Sequence, residues 1–174
     1  RDRFNDKIYQ LTWRENTGFV YNAGNLNKIK EFQYFKQIEG WGLTHDDKYL
    51  YQSDGSEKIY KLDPETLKEV SSVNIYAQDK KVKELNELEW VDGKIYANVY
   101  QTNTLVLIDP VTGSVEGLLD LTSLSEKITR TPETDVLNGI AYNPKTKTFF
   151  VTGKLWDKMF EIRIKYCLLY TSDA

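Results

Sequence analysis

Three short segments of this chain recur in the same setting: residues 40–44 (GWGLT), 85–90 (LNELEW) and 137–142 (LNGIAY). With Leu43, Leu88 and Ile140 taken as equivalent, the spacings are 45 and 52 residues. A polar turn follows each one (HDDK, VDGK, NPKTK), then an apolar strand (YLYQSD, IYANVY, FFVTGK) and a second alternating strand (KIYKL, TLVLI, MFEIRI). Two units then run into the same turn, LDPETLKEV and IDPVTGSVE, in which Asp-Pro opens a β-turn with proline fixing φ. Four antiparallel strands returning at this period mark the blade of a β-propeller. The cause is burial: a small sheet has two apolar faces, and stacking blades around an axis covers both. A β-sandwich also has many short strands, but nothing in it demands the same turn chemistry at a fixed period.

The start of the chain fits the same unit with its first strand absent, since DKIYQLTW matches GKIYANVY. The reading is therefore an all-β chain of about three and a half blades: one unit lacking its first strand, two complete units, and a last unit fading out near Ile164. Residues 1–165 form one domain, a partial propeller. The tail, residues 166–174 (YCLLYTSDA), breaks the alternation and is set apart from the fold as atypical. One short surface helix is expected in LTSLSEKI, with Thr122 or Ser123 as cap and Glu126 following.

Composition removes several functions. Twenty-three basic and 26 acidic side chains leave a net charge of -3, with no basic excess to hold a nucleic acid. No apolar run approaches the roughly 18 residues of a membrane span. The single histidine, His45, and the single cysteine, Cys167, cannot build a multi-histidine zinc site, and no Ser-His-Asp triad is suggested. His45 lies in the polar run THDDKY and reads as a solvated turn residue. No metal or cofactor is expected.

The ordered set GWGL, YQSDGS, LNELEW, DVLNGIAY and VTGKLW resembles the plant and bacterial type of glutaminyl-peptide cyclotransferase, over roughly residues 7–164. The resemblance implies a five-bladed propeller, monomeric in its full-length form, that converts the N-terminal glutamine of peptides to pyroglutamate with release of ammonia. It implies an acyltransferase of the metal-independent type, and secretion or a periplasmic location. The family's earlier blades, with an aromatic-Glu-Ser-Thr-Gly-like motif holding the acid/base glutamate, have no counterpart after Arg1. A chain of this extent is therefore expected to be inactive by itself.

By the same resemblance, Lys154 and Asn86 are the candidate catalytic groups. The resemblance makes Trp13 and Tyr100 candidate substrate-binding residues, and position beside Lys154 and in the repeat of Asn86 adds Trp156 and Asn138. Tyr100 stands where the family often has tryptophan. Trp13 and Tyr100 each follow a matching tyrosine (Tyr9, Tyr96) by four residues, which places them at equivalent strand ends. Trp156, two residues after Lys154 on an extended chain, is expected to point the same way. Alternation puts Glu87 and Glu89 on one face and Asn86 on the other. Packing roles compete with these: tryptophan and tyrosine also fill inter-blade cores, and Asn86, repeated by Asn138, also suits a backbone-satisfying turn.

Two other functions remain at this stage. One is a propeller module that binds a peptide or partner without catalysis. The other is a metal-dependent lactonase drawing on Asn86, Glu87, Asn138 and Asp135, whose convergence nothing in the sequence fixes.

Overall fold

The computed structural model describes residues 2–165, so the expectation for the tail lies outside the described residues. The first sheet contains β1 (Asp2–Phe4), β2 (Lys7–Leu11), β3 (Thr17–Asn22) and β4 (Lys28–Gln33). The second contains β5 (Leu43–His45), β6 (Leu50–Ser53), β7 (Lys58–Leu62) and β8 (Glu69–Asn74). A two-stranded ribbon follows, β9 (Tyr76–Ala77) with β10 (Lys80–Lys81). The third sheet holds β11 (Leu85–Val91), β12 (Lys94–Val99), β13 (Thr104–Ile108) and β14 (Val115–Asp120). After the single turn of helix α1 (Thr122–Ser125), the last sheet has β15 (Leu137–Asn143), β16 (Thr148–Gly153) and β17 (Phe160–Ile162). Within every sheet the strands pair antiparallel in chain order. The first strands adjoin in succession, β1 with β5, β5 with β11, β11 with β15, which is the blade arrangement of a propeller.

Three apolar cores fill the three gaps between these four sheets. Phe4, Tyr9 and Val20 meet Leu43, Leu50 and Tyr60 across the first gap. Tyr51 and Ile59 meet Leu88, Ile95 and Val106 across the second. Tyr96 and Leu105 meet Leu137, Ile140 and Phe149 across the third. Burial on both faces explains why β6 (LYQS) is buried at all four positions and does not read as a clean alternation. The fourth strands, at the perimeter, are largely exposed.

The first sheet corrects one expectation. It is complete, because Asp2–Phe4 pairs with β2 through a two-residue turn at Asn5 and Asp6, both with positive φ (50° and 57°). Asp92 and Gly93 make the same type of turn between β11 and β12. The first of these strands escaped notice because only three residues of it precede the turn. The helix cap is also corrected. Leu121 occupies the N-cap with no side-chain hydrogen bond, Glu126 is at the C-cap, and the N–H of Thr122 is satisfied by Asp120 Oδ1 at 2.8 Å. The turn is not purely superficial: Leu121 and Ser125 are buried, and Ser125 Oγ accepts from Asn103. His45 is the last residue of β5 and packs on Phe4, with ring centroids 4.8 Å apart, instead of standing in solvent.

One turn recurs between the third and fourth strands of all three complete sheets. Asn22, Asp63 and Asp109 each accept, through Oδ1, two successive backbone N–H groups two and three residues on. The fourth residue after each adopts left-handed φ: Leu26 (61°), Leu67 (59°) and Gly113 (77°). Backbone donors from Thr66 hold the Asp63 carboxyl below the ordinary aspartate range. The Lys94 ammonium, 2.7 Å from Asp109 Oδ2, does the same at Asp109, aided by the N–H groups of Thr112 and Val111. A depressed folded-state pKa stabilises the fold fully above the unfolded value of about 3.9 and loses that contribution as pH falls below it. Stability is expected to drop between about pH 5 and pH 2. An Asp63→Asn/Asp109→Asn double variant keeps the amide-accepting oxygens and should flatten that slope in urea titrations. An unchanged slope would show that these turns do not carry the acid sensitivity.

Candidate active site

The first strands of the third and fourth sheets begin with a β-bulge, and the segment just before β5 is hydrogen-bonded in a similar way. Asn86 and Glu87 together oppose Asn98, since Leu85 pairs with Val99 and Leu88 with Ala97. Asn138 and Gly139 oppose Thr152 in the same way. Trp41 and Gly42 flank Ser53 through Trp41 N–H to Ser53 O and Ser53 N–H to Gly42 O. A bulge re-aims the side chain it carries. Here it interrupts the strict alternation expected for Glu87, Glu89 and Asn86. Glu89 Oε1 accepts the N–H of Tyr142 at 2.8 Å, a latch from the third sheet to the fourth, and Thr44 Oγ1 accepts the N–H of Trp90 as its counterpart one sheet earlier.

A second set of positions lies just beyond the second strands. Counting from the pairing registers, Trp13, Gly55, Tyr100 and Lys154 occupy the same place in the four sheets. Side chains from the two sets meet on one face of the propeller. Trp13, Tyr100 and Lys154 from the second set, with Trp41, Asn86, Asn138 and the backbone at Gly40, line a cavity of about 360 Å³. That volume suits a small ligand.

The geometry separates the roles within this cavity. The Trp41 and Tyr100 rings meet edge to face at 5.4 Å. Trp41 can lie there because its slot-mate in the second sheet is Gly55, with φ +81° and a missing Cβ that would fall 2.6 Å from the indole. Lys154 is exposed at the mouth, with Nζ 4.8 Å from the Tyr100 ring centroid and no carboxylate within ion-pair distance among the described residues. Asn86 is 7% exposed and its main-chain oxygen accepts Ser53 Oγ at 2.7 Å. Asn138 Oδ1 takes the backbone-satisfying part, accepting the Glu87 N–H at 3.4 Å. Trp13 is 55% exposed and so is no inter-blade core residue.

Trp156 departs from expectation. Leu155 adopts left-handed φ (57°), so the chain after Lys154 is a turn and not an extended strand. The indole folds back over Gly153, donates Nε1–H to Asp135 O at 2.8 Å, and lines a neighbouring cavity with Gln101, Asn103, Arg130 and Asp135. It does not share the Lys154 cavity. Sequence reasoning missed Trp41 as a wall residue, although it stands at the Asn86 position of its own repeat; the pairing of Trp41 with Gly55 was the available signal. Of the four lactonase candidates, Asp135 falls in the neighbouring cavity, apart from Asn86 and Asn138.

Fold and cavity together define a β-propeller with a small-ligand site assembled from repeat-equivalent positions on one face. Comparison with known proteins then places it. The family model for glutamine cyclotransferase matches residues 2–164, and the chain belongs to that family. It is 38% identical over 162 residues to a glutaminyl-peptide cyclotransferase of Arabidopsis thaliana, covering 92% of this chain and 50% of the relative. The chain thus spans about half the length of that curated relative. The crystal structure of Myxococcus xanthus glutaminyl cyclase superposes with a TM-score of 0.86 at 34% identity, covering 93% of this chain and 70% of that one. The WD40 domain of Toxoplasma gondii coronin, at 13% identity and a TM-score of 0.55, shares the fold alone.

Proposed function

We propose that the protein containing this chain cyclises the N-terminal glutamine of peptides to pyroglutamate and releases ammonia. The observation that carries this reading is the convergence of Lys154, Asn86, Tyr100 and Trp13 on one cavity, in a chain of the glutamine cyclotransferase family.

The reaction is intramolecular. The substrate's free α-amine attacks its own side-chain amide carbon, a C–N bond closes the five-membered lactam, and the original C–NH₂ bond breaks. The proton lost by the amine goes to the leaving nitrogen, which departs as ammonia. Proximity is already built into the substrate. What the site must add is a folded side chain, a donor for the developing oxyanion, and exclusion of water.

Lys154 is the donor to the carbonyl oxygen: it is cationic, exposed at the cavity mouth and free of a competing carboxylate among the described residues. Asn86 presents its carboxamide to the substrate from a rigid bulge, and Tyr100, Trp41 and Trp13 supply the aromatic walls. Asn138 orders the bulge of the neighbouring strand through the Glu87 N–H. Among the described residues, none of the side chains lining the cavity is a carboxylate. The proton shuttle is assigned to the acid/base glutamate that the family resemblance implies. The reading includes an acyltransferase working without a metal, a monomer in full-length form, and an exported protein. No helix among the described residues is long and apolar enough to cross a membrane.

The test is ammonia release from a Gln-initiated peptide by the full-length protein, compared with Asn- and Glu-initiated peptides of the same sequence. Release from the glutamine peptide alone, with the product lighter by one ammonia, is the expected result. Equal inertness of all three peptides would remove the reading.

A further inference from the structure

Trp13 lines the cavity yet is 55% exposed, so packing alone does not fix its ring. What holds it is Glu39, on the connection between the first two sheets. Trp13 Nε1–H donates to Glu39 Oε2 at 2.6 Å, and Trp41 Nε1–H donates to the same oxygen at 2.8 Å. The other carboxylate oxygen, Oε1, accepts from Arg14 Nε at 3.3 Å, and the Arg14 guanidinium stacks over the Trp13 ring at 3.7 Å. One carboxylate therefore ties together two indoles from different sheets and the cation that covers one of them. Neither Glu39 nor Arg14 lines the cavity.

We infer that Glu39 is a positioning residue for the substrate pocket, setting the angle of the Trp13 and Trp41 walls through their indole N–H groups. The inference rests on the cyclotransferase reading of the cavity. A carboxylate oxygen can accept two donors, and Oε2 already has two, each a charge-assisted bond of good length. The indoles of Trp41 and Trp13 hold the Glu39 carboxyl below the usual range, which keeps it ionised and out of proton transfer near neutral pH. Arg14 acts with it: the guanidinium covers the solvent side of Trp13 and neutralises the carboxylate.

The experiment compares Glu39→Gln and Glu39→Leu in the full-length protein. The Glu39 side chain is 38% accessible, so neither change disturbs a core. A glutamine oxygen still accepts both indoles, whereas leucine accepts none. Glu39→Leu is expected to raise KM for a Gln-initiated peptide about tenfold with kcat within about threefold of wild type, the pattern of lost binding energy. Glu39→Gln should restore most of that loss. The near-UV circular dichroism of the tryptophans should weaken in Glu39→Leu and persist in Glu39→Gln. The inference is overturned if Glu39→Leu leaves KM and the tryptophan signal unchanged. It is equally overturned if Glu39→Gln loses kcat as severely as Glu39→Leu, because the carboxylate would then act in the chemistry. A wild-type protein that releases no ammonia would remove the cyclotransferase reading, while the tryptophan signal of the two variants would still decide whether Glu39 holds the rings.

Discussion

Lys154→Ala in the full-length protein is expected to lower kcat for a Gln-initiated peptide by about 10²- to 10³-fold, the usual cost of deleting one oxyanion donor. The loss should appear in kcat and kcat/KM together, because the bond strengthens only as charge builds on the oxygen. Thermal stability should barely change, since Lys154 is exposed and makes no ion pair among the described residues. Lys154→Arg should recover only part of the rate: it keeps the charge, but its planar fork cannot reproduce a compact ammonium above the Tyr100 ring. A rise in KM with kcat intact would mean that Lys154 binds the peptide without stabilising the reaction.

Gly42→Ala is the substitution expected to harm the fold most per atom added. A Cβ at Gly42 would lie 1.9 Å from the main-chain oxygen of Asn86 and 2.9 Å from Ser53 Oγ. That oxygen is backbone of the adjacent sheet and already accepts Ser53 Oγ–H, while Ser53 Oγ accepts the Gly42 N–H at 2.8 Å. The two nearest atoms are backbone of Asn86, which no rotamer change can move aside, so the two strands must separate. A destabilisation of about 3 kcal/mol or more is expected, at the upper end of overpacking costs because a buried hydrogen-bond relay breaks as well. Gly93→Ala is the control. Gly93 has φ +83° with no atom near its missing Cβ, so only the conformational cost of about 1 kcal/mol applies. Comparable urea midpoints for the two variants would contradict the seam described between β5 and β11. Asn86 sits on that seam, so Gly42→Ala should also weaken peptide binding.

Much of this was legible in the sequence because the repeat was. The strands KIYKL and TLVLI fall at Lys58–Leu62 and Thr104–Ile108, and the Asp-Pro turns close as their chemistry requires. Five of the six proposed site residues line one cavity, since repeat-equivalent positions must emerge on one face. What escaped were departures from regular backbone. Trp156 was misplaced because Leu155, a residue with no special liking for positive φ, turns the chain there. The bulge at Asn86 and Glu87 was not foreseen either, because it leaves no signature in residue type. The third occurrence of the perimeter turn was hidden because Asn22 opens it without Asp-Pro. The Glu39 clamp depends on two rings brought together only by adjacent sheets, which no local pattern announces.

The six cavity side chains, Trp13, Trp41, Asn86, Tyr100, Asn138 and Lys154, belong to none of the three apolar cores. On the cyclotransferase reading, ligand choice therefore resides outside the side chains that pack sheet against sheet. Exchanging an aromatic for a cation at one such socket, as between the places of Tyr100 and Lys154, leaves every inter-sheet core intact. A scaffold of this kind can drift in specificity without first passing through an unstable ancestor.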